Sequence, residues 1–180
     1  MGDFEQNARQ RYQKFTNQMQ LQEWELAGYK STFQRFAITT ETERRAAILC
    51  KRGESEMFAG NIQTAELLFE EARELAPQSA YVLAMVASFE LGRNSIGAAL
   101  DFVKQACDRA NKATGALCYA VKARALGAQG DRVGQVGALA RALDYDPMDV
   151  FLRHRYGVAL SRASRTQEAI AFREKRWLWP

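Results

Sequence analysis

Histidine is nearly missing from this chain: His154 is the single one in 180 residues. Cysteine and proline are scarce as well, at three each, and no apolar run approaches the ~18 residues of a bilayer-spanning helix. Each shortage excludes something. The one imidazole is flanked by Arg153 and Arg155, and no serine or cysteine stands at a recognisable spacing from it. General-base and nucleophilic catalysis therefore lack their usual partners, and an enzyme is not expected. Cys50, Cys107 and Cys118 are odd in number and form no CxxC pair, which argues against a disulfide framework or a zinc site and fits a reducing compartment. The carboxylates of Glu54, Glu56, Glu70 and Glu71 have no histidine or cysteine at metal-ligand spacing, so neither metal nor cofactor is expected. Gly127, Gly130, Gly134 and Gly137 match no phosphate-binding loop and instead mark a helix–turn–helix corner. The stretch from Met1 to Gln10 is polar rather than signal-like, giving an expectation of a cytoplasmic protein with no membrane partner.

What the chain does have is helix-forming residues: alanine, leucine, glutamate, glutamine and arginine dominate it. Its 47% hydrophobic and 26% charged residues are the balance of an ordinary soluble domain. The net charge of +4 is unevenly placed: residues 1–79 carry 10 basic and 12 acidic side chains, and residues 80–180 carry 15 and 9. The excess of basic groups in the second part is scattered rather than clustered, so nucleic acid is not the expected partner.

Self-comparison gives the main signal. The segment from Ala46 to Ser79 contains Leu49, Gly53, Gly60-Asn61, Ala65, Phe69, Ala72 and Pro77. A shift of 34 residues lands on Leu83, Ala87, Asn94-Ser95, Ala99, Val103 and Ala106. With two extra residues near Lys112 and Ala113, the next copy runs through Tyr119, Ala123, Gly130-Asp131, Gln135, Leu139, Ala142 and Pro147, and a further 34 gives Arg153, Gly157, Ser164-Arg165 and Ala169. The small residues suit close approach of two antiparallel helices, the aromatic and aliphatic ones share a face, and the prolines stop the second helix. At these residues the chain resembles the tetratricopeptide repeat family. The resemblance implies an all-α fold: a right-handed α-solenoid of antiparallel helix pairs over 41–180, with repeats at 46–79, 80–113 and 116–149 and a partial one at 150–180. The family's first-helix tryptophan is absent, Glu56 and Glu90 stand where tyrosine is common, and Gln135 replaces a small alanine, making the third repeat the weakest match.

The two ends follow other rules. In 1–40, Ala8, Tyr12, Phe15, Met19, Leu26, Tyr29, Phe33 and Phe36 recur at helical spacing, which predicts one long amphipathic helix, or two with a break at Ala27-Gly28. Such a stripe covers the first repeat or serves self-association, in which Tyr12, Phe15, Met19, Tyr29 and Phe33 would act. Thr40 with Glu43 reads as a capping box opening the array. In the fourth repeat the aromatic Phe172 follows Ala169 by three residues, whereas Phe69 follows Ala65 by four. Helical phase is therefore expected to be lost and a second helix starting near Thr166 to be too short to cap the stack, leaving either an uncapped end at which Trp177 and Trp179 are exposed or buried between copies, or a short tail that packs on itself.

The resemblance also implies a function: arrays of this kind receive a peptide or partner helix in a concave groove built from first helices. Taking Gly53, Ala87, Ala123 and Gly157 as inter-helix contacts, the groove side should carry Cys50, Glu54, Phe58, Tyr81, Ser88, Arg124, Phe151, His154 and Arg162. It should be acidic at its first end and basic at its last, suiting a peptide with apolar anchors and an acidic group. Of the residues a chaperone-tail clamp would need, only Arg155 matches, so that specialisation is not expected. The reading is thus a non-catalytic protein-binding scaffold or adaptor, with a second copy of the chain as another candidate partner. Two alternatives stand beside it: the repeat region of a larger signalling or NTPase assembly, and nucleic-acid binding through the basic part.

Overall fold

The structure, a computed structural model, describes residues 23–174. Contacts divide the chain into a unit over 1–32 and a unit over 33–180. Of the first, the described residues are helical and belong to α1 (Glu23–Arg35), which runs on across the boundary. Among the described residues the second unit holds eight further helices: α2 (Glu41–Phe58), α3 (Ile62–Leu75), α4 (Ala80–Gly92), α5 (Ile96–Asp108), α6 (Gly115–Gln129), α7 (Arg132–Tyr145), α8 (Val150–Arg162) and α9 (Thr166–Glu174). Among the described residues there is no strand. The helices pack as the pairs α2/α3, α4/α5, α6/α7 and α8/α9, and the first helices α2, α4 and α6 also touch in succession.

One corner is repeated within every pair. Gly60, Asn94, Gly130 and Ser164 all adopt positive φ, between 61° and 91°. At each, the following amide reaches back to the last turn: Asn61 to Glu56, Ser95 to Glu90, Asp131 to Leu126 and Arg165 to Leu160, all at 2.9 Å. This is the Schellman arrangement, which satisfies carbonyls that a helix end leaves open. The turns thus fall where the repeat pattern places them. Helix starts are capped by side chains. Thr40 accepts from the Glu43 amide at 3.2 Å and donates to its carboxylate at 2.9 Å, and Ser79, Asp131 and Asp149 cap α4, α7 and α8.

Small residues sit where helices cross. A Cβ on Gly53 would lie 2.9 Å from the Phe69 ring, which itself stacks on Phe89 at 4.7 Å. The third pair solves its bulky Gln135 by a compensating glycine: a Cβ on Gly127 would meet Gln135 at 2.4 Å. Helix α4 is buried from Ala80 through Ala87, because it is central and apolar on every side rather than amphipathic.

The fourth pair corrects the expectation of lost phase. Helix α9 forms, Ala169 is buried as Ala65 and Ala99 are, and Phe172 packs edge-on against Tyr156 with ring centroids 4.9 Å apart. The residue four places after Ala169 is Arg173, so it is the side chain and not the helical register that changes.

Candidate functional site

The exposed first-helix side of the array is shaped by side chains from α4, α6 and α8, and by the short link before α2. Phe33 and Ile38 are buried within the second unit, and between them Phe36 lays its ring against Tyr81 of α4 at 4.8 Å. Phe33, expected on a self-association stripe, is therefore interior. Arg35 reaches Asp149, the cap of α8, at 3.7 Å. Beyond Phe36 a cleft of about 370 Å³ opens, with Leu117 and Ala120 from α6, Phe151 and Arg155 from α8, and Arg35 and Phe36 closing one side.

Two residues expected in the groove are not on an open surface. Cys50 is fully buried and Tyr81 is 1% exposed; Phe36 covers Tyr81, and Cys50 lies in the tightly packed body of α2. The Tyr81 hydroxyl has no hydrogen-bond partner. Burial, then the neighbouring Cys50 and Glu54, raise its pKa well above the usual phenol value. Burial likewise pushes the thiols up, Cys107 to about 11 and Cys118 to about 12, which keeps them from acting as nucleophiles.

Of the remaining expected residues the structure brings Ser88 and Arg124 together and leaves the others dispersed. Glu54 is half-buried and holds Lys51 at 2.8 Å, while Phe58 stands exposed at the end of α2. Arg124 donates to the Ser88 hydroxyl at 2.8 Å, tying α6 to α4. Phe151 is 82% exposed and lines the cleft, and His154 lies one turn along α8, facing a different cavity. Arg162 is exposed, and its carbonyl accepts from Arg132 at 3.0 Å. Arg155 has its pKa lowered by burial first and by Arg124 second, against the pull of Asp149. Its charge is thus held close to Arg124 with incomplete compensation, which favours an incoming carboxylate. Tyr29 of the first unit is half-buried; Tyr12, Phe15, Met19, Trp177 and Trp179 lie outside the described residues.

Sequence reasoning missed Phe36 as a groove residue. Its place in the aromatic stripe was visible, but nothing in the spacing shows that the link before Thr40 folds against α4. No group of three or more histidine, cysteine, aspartate or glutamate side chains among the described residues could hold a metal ion. No described helix is long and apolar enough to cross a membrane.

No family model matches the chain, and no curated protein sequence does. Solved structures do match. A crystal structure of MamA aligns at TM-score 0.60 and 17% identity over 95% of this chain and 96% of that one. YrrB, described as a tetratricopeptide protein with an unusual peptide-binding site, aligns at 0.57 and 14% over 80% and 70%. The N-terminal domain of stress-induced protein-1 from C. elegans aligns at 0.53 and 17% over 67% and 98%. At these identities the likeness is one of fold.

Proposed function

Since the chain is a tetratricopeptide-like helical solenoid, we propose that it is a non-catalytic scaffold that binds a peptide or partner helix on its first-helix side. The observation that carries the reading is the cleft bounded by Leu117, Ala120, Phe151 and Arg155. It pairs an apolar floor with a crowded arginine. A ligand with an aliphatic or aromatic anchor and a nearby carboxylate satisfies both, the anchor by burial and the carboxylate by a charge-assisted hydrogen bond. Phe36 fills the neighbouring stretch over Tyr81, so the ligand occupies the part of the face toward α6 and α8.

Selection from a random displayed-peptide library tests this. Selected peptides should share an apolar residue near an acidic one. Leu117→Glu combined with Arg155→Glu should weaken them by more than about tenfold, or ~1.4 kcal/mol, with helicity unchanged. Selected peptides that bind the double variant as tightly as the parent would remove the cleft from the account.

A further inference from the structure

The far end of the array carries a second, separate feature. Counted from the left-handed turn residues Asn94, Gly130 and Ser164, the same four places recur in each pair where it receives the next. In α4/α5 they are Leu83, Ala84, Ala87 and Val103, all buried and packed with Cys118 and Val121 of α6. In α6/α7 they are Tyr119, Ala120, Ala123 and Leu139, packed with Leu152, Tyr156 and Ala159 of α8. In α8/α9 they are Arg153, His154, Gly157 and Arg173. An apolar seat for a helix has become a seat lined by two arginines and an imidazole.

The exchange leaves a hole. Phe69 occupies in the first pair the place that Arg173 holds in the last, and it sits directly over Gly53; a Cβ on Gly157 would meet nothing within 4 Å. A cavity of about 460 Å³ opens there, with Val150, Val158 and Phe172 on its walls beside Arg153, His154 and Arg173. Met148 and Val150 at its rim are 64% and 69% exposed. Arg153 is held in place: its guanidinium lies 5.5 Å from the Phe172 ring centroid, and one Nη donates to the Pro147 carbonyl at 3.4 Å. Its Nε is buried with no partner. Among the described residues no carboxylate forms an ion pair with Arg153 or Arg173.

We propose that this end face is a docking site for an amphipathic α-helix of another protein, one that presents small apolar side chains flanked by carboxylates one turn apart. The shape follows from repetition, because each earlier pair seats a helix at this register. The charge follows from complementarity: a guanidinium oriented by Phe172 and the Pro147 carbonyl, with no carboxylate partner among the described residues and a second arginine beside it, selects an anion, and the apolar walls favour one carried on an apolar surface.

Fluorescence anisotropy on the full chain tests the site directly. The probe is a synthetic amphipathic helix with leucine and alanine on one face and glutamates one turn apart beside them; its twin carries lysines in place of the glutamates. The glutamate helix should bind and the lysine twin should not. Binding should fall by more than about tenfold in Arg153→Glu combined with Arg173→Glu. It should fall equally in Gly157→Leu, whose side chain grows from a position where a Cβ meets nothing within 4 Å, with helicity checked by circular dichroism. Leu117→Glu, in the other cleft, should leave it unchanged. Equal binding of both helices, survival of binding in Gly157→Leu, loss of binding in Leu117→Glu alone, or competition by a single-stranded oligonucleotide would each overturn the proposal.

Discussion

Gly53 and Gly157 occupy equivalent places in the first and last helix pairs, yet alanine should act on them with opposite sign. In both α2 and α8 the exchange removes a helix-interior glycine, a gain of roughly 0.8–1 kcal/mol. At Gly157 that gain stands alone, because the new methyl meets nothing within 4 Å. At Gly53 the methyl would lie 2.9 Å from Cε2 and 3.0 Å from Cδ2 of Phe69. Phe69 cannot retreat, being 3% exposed and stacked on Phe89, so overpacking of about 1–3 kcal/mol is added. Gly157→Ala should therefore stabilise by about 1 kcal/mol and Gly53→Ala should destabilise by up to about 2 kcal/mol. Since the helix contribution is common to both, the difference between the variants isolates the packing contribution. Urea unfolding followed by circular dichroism reads both midpoints, with the first-pair variant also broadening the transition if the pairs unfold semi-independently. Midpoints that move together, in either direction and by the same amount, would refute the packing assigned to α2/α3 and the open space assigned to α8.

The shared turn makes a similar pair of tests: Gly130→Ala places a Cβ at φ 91° and should cost about 1–2 kcal/mol in urea unfolding, whereas Ser164→Gly relieves a non-glycine residue at φ 61° and should gain up to ~1 kcal/mol. Tyr81→Phe removes a buried hydroxyl with no partner and should raise stability by about 1 kcal/mol in the same assay; a loss of that size would show that the hydroxyl is hydrogen-bonded. With a disulfide reagent at mildly alkaline pH, the half-buried Cys107 should react first, though slowly because burial holds its pKa at about 11. Cys50 and Cys118, both buried, should react only as urea unfolds the chain.

The turns were legible because Gly60, Asn94 and Gly130 tolerate left-handed backbone and the four turns recur at intervals of 34, 36 and 34 residues, two local signals that agree at all but Ser164, where the interval alone marks the turn. The cap at Thr40 was legible from its capping-box spacing to Glu43. Compensation between positions was not: Gln135 looks like a defect until Gly127 is seen opposite it. Phe172 was misread because an aromatic was sought at the place of Phe69, whereas Arg173 holds that place and Phe172 turns to Tyr156. Part of the expected groove was hidden for a longer-range reason. The spacing that puts Tyr81 on the first-helix side of α4 is sound, but whether that side is open depends on Phe36, more than forty residues earlier in the chain. Local periodicity carries no information about such a contact.

The central claim is that the first-helix side of α6 and α8 receives the ligand. A selected peptide carrying a photoreactive phenylalanine in place of its apolar anchor can be cross-linked to the intact chain and the attachment mapped by mass spectrometry. Attachment should fall on Leu117, Ala120 or Phe151. Attachment confined to the second helices α3, α5 and α7 would contradict the account.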